Sequence, residues 1–389
     1  MKQDRVVVLG GGYAGILAAQ RIAGRAPAGT RVELISDRPH FTERIRLHER
    51  VAGSAPRRIP LQRLLGRAGV TIRVGRVEGI DRSAGTVRLD GGSVPFDLAL
   101  VATGSRTDWE RIAGAAEHAL SPCDEEAAER MAAHVASGNL APLVVVGGGL
   151  TAVETAAELA ERGHVVRLVT AGPVLPDHAP AARAYAVGVL RALGVRLREE
   201  TRVAVIERDA VHLADGETIA GRAVWCGGFV PHPIAYDADL AAAPSGQILV
   251  DASLRSRSDP RSFAAGDVAR VEGSAHLRMG CVTAMPMGAH AADSIVARLR
   301  GKEADAFRFR FLVQCLSLGR RQGLVQTVDP WDRALPRFFR GRTGAWIKER
   351  VCRLSVGALE WEQRLPGLYR WPRPPLQHGA PLRERLLPR

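Results

Sequence analysis

Residues 5–15, RVVVLGGGYAG, join a short apolar run to three closely spaced glycines. The apolar run predicts a buried strand, and the residues after it have helical character. The spacing is Gly10-x-Gly12-x-x-Gly15. Gly10 permits a tight turn, Gly12 lets a pyrophosphate approach the backbone, and Gly15 allows the helix to pack close to the strand. The start of the helix then faces the phosphates. This stretch predicts a doubly wound α/β unit that binds a dinucleotide.

An acidic residue after the second strand is the next part of this pattern. It follows the glycines by about 20 residues and binds the ribose hydroxyls. Here the predicted strand, residues 31–35, is followed by Ser36 and Asp37, so the acid comes one position late. Two interpretations stay open: Asp37 binds a ribose, or it caps a turn before Pro39.

A second copy of the glycine pattern occupies residues 143–152, LVVVGGGLTA. Its spacing is Gly147-x-Gly149-x-x-Ala152, and alanine in the third position still allows fairly close packing of helix and strand. Glu154 follows in the predicted helix. Two such signatures in one chain are far more specific than one, and they predict two dinucleotide sites.

The sequence leaves the choice between NADH and NADPH open. The second strand of this unit, residues 165–169, is followed by Thr170-Ala171-Gly172. These residues supply neither an acid for a free 2′-hydroxyl nor an arginine for a 2′-phosphate.

Two further strand ends carry small or acidic residues. FDLALVATGS (96–105) runs into Ala102-Thr103-Gly104, and FAAGDV (263–268) runs into Gly266-Asp267. The second of these places a carboxylate at the carboxyl edge of a parallel sheet, where ligands bind. Taken alone, Asp267 is equally well explained as a helix N-cap.

Charge is unevenly distributed along the 389 residues. The formal net charge is +13, and residues 301–389 contain 18 basic and 8 acidic side chains. The first 300 residues are therefore nearly neutral, which argues against a uniform nucleic-acid-binding surface. The composition, 46% hydrophobic and 24% charged, is that of a globular protein.

The five cysteines, at positions 123, 226, 281, 315 and 352, form no CxxC pair. Their number and spacing argue against a zinc ribbon or a disulfide framework and favour a reducing compartment. The N-terminus has no apolar signal segment, and no stretch approaches the roughly 18 apolar residues of a membrane span. We therefore expect a cytoplasmic protein whose membrane contact, if any, is peripheral.

The order of these signals, GxGxxG, ATG, a second GxGxxG and GD, resembles the pyridine nucleotide-disulfide oxidoreductase superfamily over about residues 1–300. Within it, GGGLTAVETAAEL (147–159) is most similar to the type II NADH dehydrogenases, which reduce quinones through FAD. The resemblance implies that the first glycine loop holds the FAD pyrophosphate, Asp267 its ribityl–phosphate side, the second loop NAD(P)H, and that Glu154 contacts the nicotinamide amide. The residues predicted to contact these cofactors are Gly10, Gly12, Tyr13, Ala14, Gly15, Ser36, Asp37, Arg44, Ala102, Thr103, Gly104, Gly147, Gly149, Leu150, Thr151, Glu154, Gly227, Gly266, Asp267 and Ala284.

The positions of the cysteines help to distinguish between the branches of this superfamily. Residues 37–60 contain no cysteine, which excludes the dithiol of the disulfide reductases at its usual place. Cys123 is loosely similar to one cysteine of the sulfide:quinone reductases, but residues 147–163 lack another. Cys281, in MGCVTAMPMGAHAA (279–292), is a candidate for a place near the flavin, with a small buried apolar role as its alternative.

Three residues are candidates for a catalytic role, namely Glu154, Arg44 and Cys281. The stretch HFTERIRLHE (40–49) passes near the flavin by topology, so that Arg44, Arg46 or His48 can polarise an acceptor. The alternative is a half-buried segment with solvated arginines. Respiratory type II enzymes carry glutamines around the flavin and quinone channel, whereas this chain has Cys281-Val282 and Pro286-Met287 in that segment.

The C-terminal region is rich in tryptophan and arginine. In WIKERVCRLSVGALEW (346–361) the residues Ile347, Val351, Leu354 and Ala358 recur at helical spacing, which predicts an amphipathic helix. The resemblance implies an interfacial membrane anchor and homodimer element over 341–371, and the alternative is a dimerisation or lid helix packed on the FAD domain. SLGRRQGLVQ (317–326) predicts a hairpin or strand pair rather than a binding patch, and the Pro-rich tail 371–389 predicts an extended or disordered segment.

The predicted architecture is α/β, with two doubly wound Rossmann-like domains and a C-terminal α+β cap. The FAD domain spans 1–110 and 240–300, the inserted NAD(P)H domain 111–239, and the cap 301–389. The predicted function is an FAD-dependent NAD(P)H oxidoreductase that passes electrons to a quinone-like acceptor. The alternatives are a soluble reductase of a small redox protein and a flavin- and nucleotide-binding sensor without turnover.

Overall fold

The computed structural model describes residues 3–55, 57–138, 141–234 and 238–374. The Pro-rich tail predicted at 371–389 lies mostly outside these ranges. The α/β prediction is confirmed, because two parallel sheets form the centre of the molecule.

The first sheet has five parallel strands. In order across the sheet they are Ser262–Ala264, Leu98–Val101, Arg5–Leu9, Arg31–Ser36 and Thr71–Val74. The run VVVL is fully buried because both faces of the central strand are covered, as is usual in a parallel sheet. The strand order reverses between Arg5–Leu9 and Leu98–Val101, and ligands bind at such a point in open α/β sheets.

The second sheet repeats this arrangement with four parallel strands. Their order is Arg196–Arg198, Val166–Val169, Leu143–Val146 and Arg222–Trp225. Each predicted glycine loop therefore follows an inner strand of its own sheet.

Nine α-helices lie in the described ranges. They are Tyr13–Arg25, Leu47–Val51, Leu61–Leu65, Ala115–His118, Glu125–Ala136, Leu150–Glu161, Pro180–Ala192, Cys281–Leu299 and Gly341–Arg364. The first helix packs on Cys281–Leu299 at very short range, since a Cβ on Gly288 would overlap the backbone of Ala14.

Smaller sheets surround the two parallel ones. Their strands are His40–Thr42 with Arg58–Pro60, Val77–Asp81 with Thr86–Leu89 and Gly92–Pro95, Ser105–Thr107 with Phe229–Pro231, Val203–Ile206 with Ala210–Leu213 and Thr218–Ala220, and Ile248–Val250 with Ala269–Val271.

The C-terminal unit is an antiparallel sheet followed by a long helix. The strands are Val313–Ser317, Gly323–Val328 and Ala334–Arg340, and the first two form the predicted hairpin. The predicted amphipathic helix is confirmed and is longer than expected, spanning Gly341–Arg364; we call it the C-terminal helix.

The C-terminal helix buries only part of the face that its apolar pattern predicted. Leu354 is 69% exposed and Val351 39%, whereas Cys352, Leu359 and Glu362 are buried. The reason is that the helix packs through close backbone contact at Gly344 and through ion pairs. The middle of the predicted stripe, at Val351 and Leu354, therefore faces solvent, whereas Ala358 packs against the core. None of the described helices combines the length and apolar character that crossing a membrane requires.

Candidate functional site

The first glycine loop has the geometry that its spacing predicted. Gly10 has φ +115°, and a Cβ there would overlap the carbonyl group of Ala102. A Cβ on Gly15 would overlap the carbonyl oxygen of Gly10. Gly12 is exposed, and a Cβ there would meet nothing within 4 Å among the described residues. Two glycines are thus required by packing, and the third opens the loop to a ligand.

The helix after this loop is free to bind an anion at its N-terminus. It begins at Tyr13 with Gly12 as N-cap, and neither a side-chain cap nor an acidic residue occupies its first turn in the described structure. Unpaired N–H groups and the positive end of the helix dipole favour a phosphate at such a position. This observation fits a dinucleotide pyrophosphate.

The other residues predicted around the first loop do come together. A Cβ built on Gly266 would lie 3.4 Å from the side chains of both Ala14 and Ala284. Asp267 closes the group, since its Oδ1 accepts from the Gly280 amide at 2.7 Å and its Oδ2 from the Ser105 hydroxyl at 2.7 Å. The carboxylate therefore ties two segments together rather than capping its own short helix.

Thr103, like Tyr13, carries a buried hydroxyl without a hydrogen-bond partner among the described residues. Its Oγ1 is inaccessible to solvent. An unpaired buried hydroxyl carries a free-energy cost, so a ligand that satisfied it would be favoured at this place. Gly104, next to it, adopts φ +71°.

Ser36 and Asp37 differ in how they meet the first loop. Ser36 is the last residue of its strand and is buried, and a Cβ on Gly11 would lie 2.6 Å from its Oγ. The side chain of Asp37 is 66% exposed, with the Arg38 guanidinium 3.8 Å away. Ser36 therefore lies against the loop, and Asp37 faces solvent where a ribose is able to reach it.

The second glycine loop repeats the geometry of the first. Gly147 has φ +135°, and a Cβ there would lie 2.9 Å from the carbonyl oxygen of Cys226. Gly149 is exposed, with nothing within 4 Å of a built Cβ in the described structure, and it is the N-cap of the helix that Leu150 and Thr151 begin. Gly227 follows the neighbouring strand and packs its backbone against the Trp225 ring.

Glu154, in that helix, is part of a buried polar cluster that sequence reasoning did not predict. Its Oε1 lies 2.8 Å from Lys348 Nζ and accepts from the Ser317 amide at 2.9 Å. The Ser317 hydroxyl bridges Glu154 Oε1 at 3.2 Å and His48 Nε2 at 3.1 Å. We call Glu154, Lys348, Ser317 and His48 the buried cluster.

Charge pairing governs ionisation in the buried cluster. Burial alone would raise the pKa of Glu154, but the Lys348 ammonium holds that pKa below its usual value. Burial would lower the pKa of Lys348, yet the Glu154 carboxylate raises it. Burial lowers the pKa of His48, which keeps its imidazole neutral. Around neutral pH the cluster is thus an ion pair with a neutral histidine beside it.

Arg44 and Arg46 have different partners. Arg44 donates from Nη1 to the Ser105 carbonyl and from Nη2 to the Cys123 carbonyl, both at 3.0 Å. Ser105 also donates to Asp267, so Arg44 lies beside the Asp267 group. Arg46 is buried and donates to Glu49 at 2.8 Å, so the solvated arginine considered for this segment is wrong for Arg46.

Cys281 is the first residue of the long helix that follows Gly280. Burial raises the pKa of its thiol to about 11, which keeps it protonated at neutral pH. Thiolates rather than thiols are nucleophiles, so this environment favours the packing role for Cys281 over a reactive one. In the described residues no group of three or more His, Cys, Asp or Glu is arranged to hold a metal ion.

A cavity of about 540 Å³ adjoins the buried cluster. It lies between the loop after Ser317, the first turns of the C-terminal helix and the segment at Arg46. Lys348 and Cys352 line it, and both are close enough to Cys281 to influence the ionisation of its thiol. The cavity thus approaches the Gly280–Asp267 group from the side of the C-terminal helix.

Comparison with known proteins agrees with this arrangement. The family model of the pyridine nucleotide-disulphide oxidoreductases matches residues 4–292. An NADH dehydrogenase-like protein of Mycobacterium tuberculosis is 35% identical over 358 residues, which cover 85% of this chain and 88% of that protein. A type II NADH:quinone oxidoreductase of Staphylococcus epidermidis is 27% identical over 363 residues, covering 83% of this chain and 90% of that protein.

A solved structure shows the same fold. The structure of NDH2 from Plasmodium falciparum in complex with NADH superimposes with a TM-score of 0.78 and covers 94% of this chain and 99% of that one. At 13% identity this likeness concerns the fold alone.

These findings confirm the family that the motifs predicted. The chain is an NAD(P)H oxidoreductase, and FAD and NAD(P)H are the cofactors of its family. Both the extent of the matched model and the 35% identity show that the chain belongs to the pyridine nucleotide-disulphide oxidoreductase family.

Proposed function

We propose that this chain is an FAD-dependent NAD(P)H:quinone oxidoreductase. The observation that carries the proposal is the position of Glu154, which follows the second glycine loop, is buried against Lys348 and lies beside a cavity. The similarity to a type II NADH:quinone oxidoreductase supports a quinone as acceptor.

In this proposal the first glycine loop holds FAD. Gly12 and the free N-terminus of the helix at Tyr13 bind the pyrophosphate, Asp37 reaches the ribose, and the Thr103 hydroxyl and the Asp267 segment face the flavin end. When bound, FAD accepts a hydride from NAD(P)H and passes the electrons to the acceptor. In the same proposal, the FAD domain comprises residues 1–110 and 240–300. The NAD(P)H domain, residues 111–239, is inserted into it, and the cap comprises residues 301–389.

The second loop holds NAD(P)H. Gly149 leaves room for the pyrophosphate, and Glu154 orients the nicotinamide. Three of the donors described above, from Ser317 and Lys348, converge on Oε1 of Glu154. For Oε2 the described contact is His48 Nδ1 at 3.8 Å, so this oxygen retains capacity to accept a hydrogen bond from a carboxamide. Holding one reactant in a fixed geometry is the protein's main contribution to hydride transfer.

The test is steady-state reduction of menadione by the purified holoprotein with NADH or NADPH, after identification of the released cofactor by mass. FAD and rapid menadione reduction support the proposal. Turnover with a small iron–sulfur protein but not with any quinone would favour the soluble reductase. A protein that retains FAD but turns over no acceptor would favour the sensor.

We also propose that the exposed face of the C-terminal helix rests on a membrane surface. Trp346, Leu354 and Trp361 are each more than half exposed, and Leu365 and Leu368, which follow the helix, are exposed as well. Exposed arginines of the helix flank these side chains. A basic helix with interfacial tryptophans binds anionic lipid surfaces.

Sedimentation with anionic liposomes tests this proposal. Leu354→Glu with Trp361→Glu should leave the protein in the supernatant, while Leu312→Glu, at an exposed site outside the helix, should not. If the helix variant changes the oligomeric state and not the sedimentation, the face joins two copies of the chain instead.

A further inference from the structure

The cavity beside the buried cluster carries an excess of positive charge. Five cationic side chains line it, against two carboxylates. The cations are Arg46, Arg320, Arg321, Arg342 and Lys348, and the carboxylates are Glu49 and Glu349.

Three of these cations are already compensated within the protein. Arg46 contacts Glu49 and Glu349, both at 2.8 Å. Arg320 lies 3.2 Å from Glu49 and also contacts Glu158, and Lys348 is paired with Glu154. These three cations are held in place by their ion pairs, and the paired carboxylates cancel most of their charge in the cavity.

Arg321 and Arg342 are different. Both are exposed, and neither side chain has an ion-pair or hydrogen-bond partner among the residues that the structure describes. Arg321 is in the hairpin turn and Arg342 in the first turn of the C-terminal helix, so two separate elements place a free guanidinium on the same cavity. Guanidinium groups bind carboxylate and phosphate oxygens in a bidentate manner.

An aromatic ring stands at the same opening. Trp346 lines the cavity and is 59% exposed, with the Arg350 guanidinium 5.3 Å from its ring centre. Lys348 and Cys352, both largely buried, form the inner part of the lining, and both influence the pKa of the Cys281 thiol. An aromatic molecule with an acidic substituent would place its charge at the arginines and its ring towards the Asp267 group.

We propose that this cavity binds the electron acceptor through an anionic substituent, so that quinones with a sulfonate, carboxylate or phosphate group are preferred to neutral ones. The inference rests on the proposed function, because it names the acceptor class of that site. The quinone ring takes two electrons and two protons. NAD(P)H supplies both electrons and one proton as a hydride, and solvent supplies the second proton.

The experiment compares menadione with 1,4-naphthoquinone-2-sulfonate in steady-state kinetics of the holoenzyme. The double variant Arg321→Gln/Arg342→Gln should raise the KM for the sulfonate about tenfold, equivalent to about 1.4 kcal/mol, and leave the menadione KM within about twofold. Arg337→Gln is the control, because it removes an exposed charge from the neighbouring strand without lining the cavity. Added salt should weaken the sulfonate preference of the unmodified enzyme only.

Calorimetry with 2-naphthoate, which is not reduced, gives a second readout. The unmodified oxidised holoenzyme should bind it, and the double variant should bind it at least several-fold more weakly. If no quinone is turned over, the proposed function fails, and naphthoate binding alone still decides whether the arginines form an anion site.

Two results would overturn the inference while leaving the proposed function intact. One is equal menadione and sulfonate kinetics in the double variant and the unmodified enzyme. The other is loss of binding to anionic liposomes in the double variant with unchanged kinetics, which would assign Arg321 and Arg342 to lipid headgroups.

Discussion

Glu154 and Lys348 form a buried ion pair between the second loop helix and the C-terminal helix, with 9% and 14% of their side chains exposed. Removing one member of such a pair leaves an uncompensated buried charge, which costs about 3–5 kcal/mol. Lys348→Met should therefore lower the free energy of unfolding by about that amount in denaturant titrations. Glu154→Gln/Lys348→Met should be more stable than Lys348→Met alone, and an equally unstable double variant would show that the pair is not coupled.

The Glu154–Lys348 pair also determines the pH range over which its contribution to folding stability is constant. The folded pKa of Glu154 lies below its ordinary value of 4.5, so its contribution is present above that pH and is lost as pH falls through the folded pKa. The folded pKa of Lys348 lies above its ordinary 10.5, so its contribution is present below that pH and is lost above it. The stability difference between the unmodified chain and the double variant should be constant between these limits. A slope around pH 7 would contradict this assignment.

Single residues also show which contacts the sequence alone predicts and which it does not. The tight turn at Gly10 and the close contact of Gly15 with the Gly10 carbonyl oxygen follow from a spacing of only five residues, so a local pattern predicts them. Lys348 was missed because its partner is 194 positions away in the chain. No local pattern distinguishes a lysine that pairs with a buried carboxylate from one on a solvated helix face.

The two loop helices offer a matched pair of substitutions. A Cβ built on Gly12 or Gly149 meets nothing within 4 Å among the described residues, so we expect the fold to tolerate an aspartate at either position. It would place negative charge where a phosphate binds. Gly12→Asp should therefore lose FAD during purification, whereas Gly149→Asp should keep FAD and lose reduction by NAD(P)H.

The control for these substitutions is Gly188→Asp, on an exposed helix position with nothing within 4 Å among the described residues. Absorbance near 450 nm reports the flavin in all three proteins. An unchanged spectrum in Gly12→Asp would defeat the assignment of the first loop.

The C-terminal helix illustrates a partial success of the sequence pattern. Its amphipathic period predicted a helix, but the apolar stripe at Leu354 faces outwards. The pattern indicates that one face of the helix is more apolar than the other. It does not indicate which face packs against the rest of the protein. That choice depends on contacts such as Gly344 with Gly323, which join elements that are separate in the sequence.

Across the whole molecule, the C-terminal segment is tied to the first domain by buried charge. Arg21, 2% exposed, donates to Glu362 at 2.6 Å and to Asp293 at 3.1 Å. Glu362→Gln should thus lower the free energy of unfolding by about 3 kcal/mol, because it leaves Arg21 with less compensation. Thermal unfolding checks this, with the exposed Glu360→Gln as control. Equal stability of both variants would contradict it.

The Arg21–Glu362 ion pair also determines which variants can test membrane binding by the C-terminal helix. Deletion of 341–389 would remove Glu362 and leave Arg21 buried without it. Loss of membrane binding after such a deletion would then report unfolding as readily as a lost surface. Substitutions on the exposed face avoid this problem.

In the proposed reaction NAD(P)H reduces a bound flavin, which then reduces a quinone. Anaerobic stopped-flow mixing with NADH and then NADPH, followed by mixing with menadione, tests it most directly. We predict rapid bleaching near 450 nm with at least one nucleotide and reoxidation on adding menadione. A flavin that neither nucleotide bleaches would contradict the account.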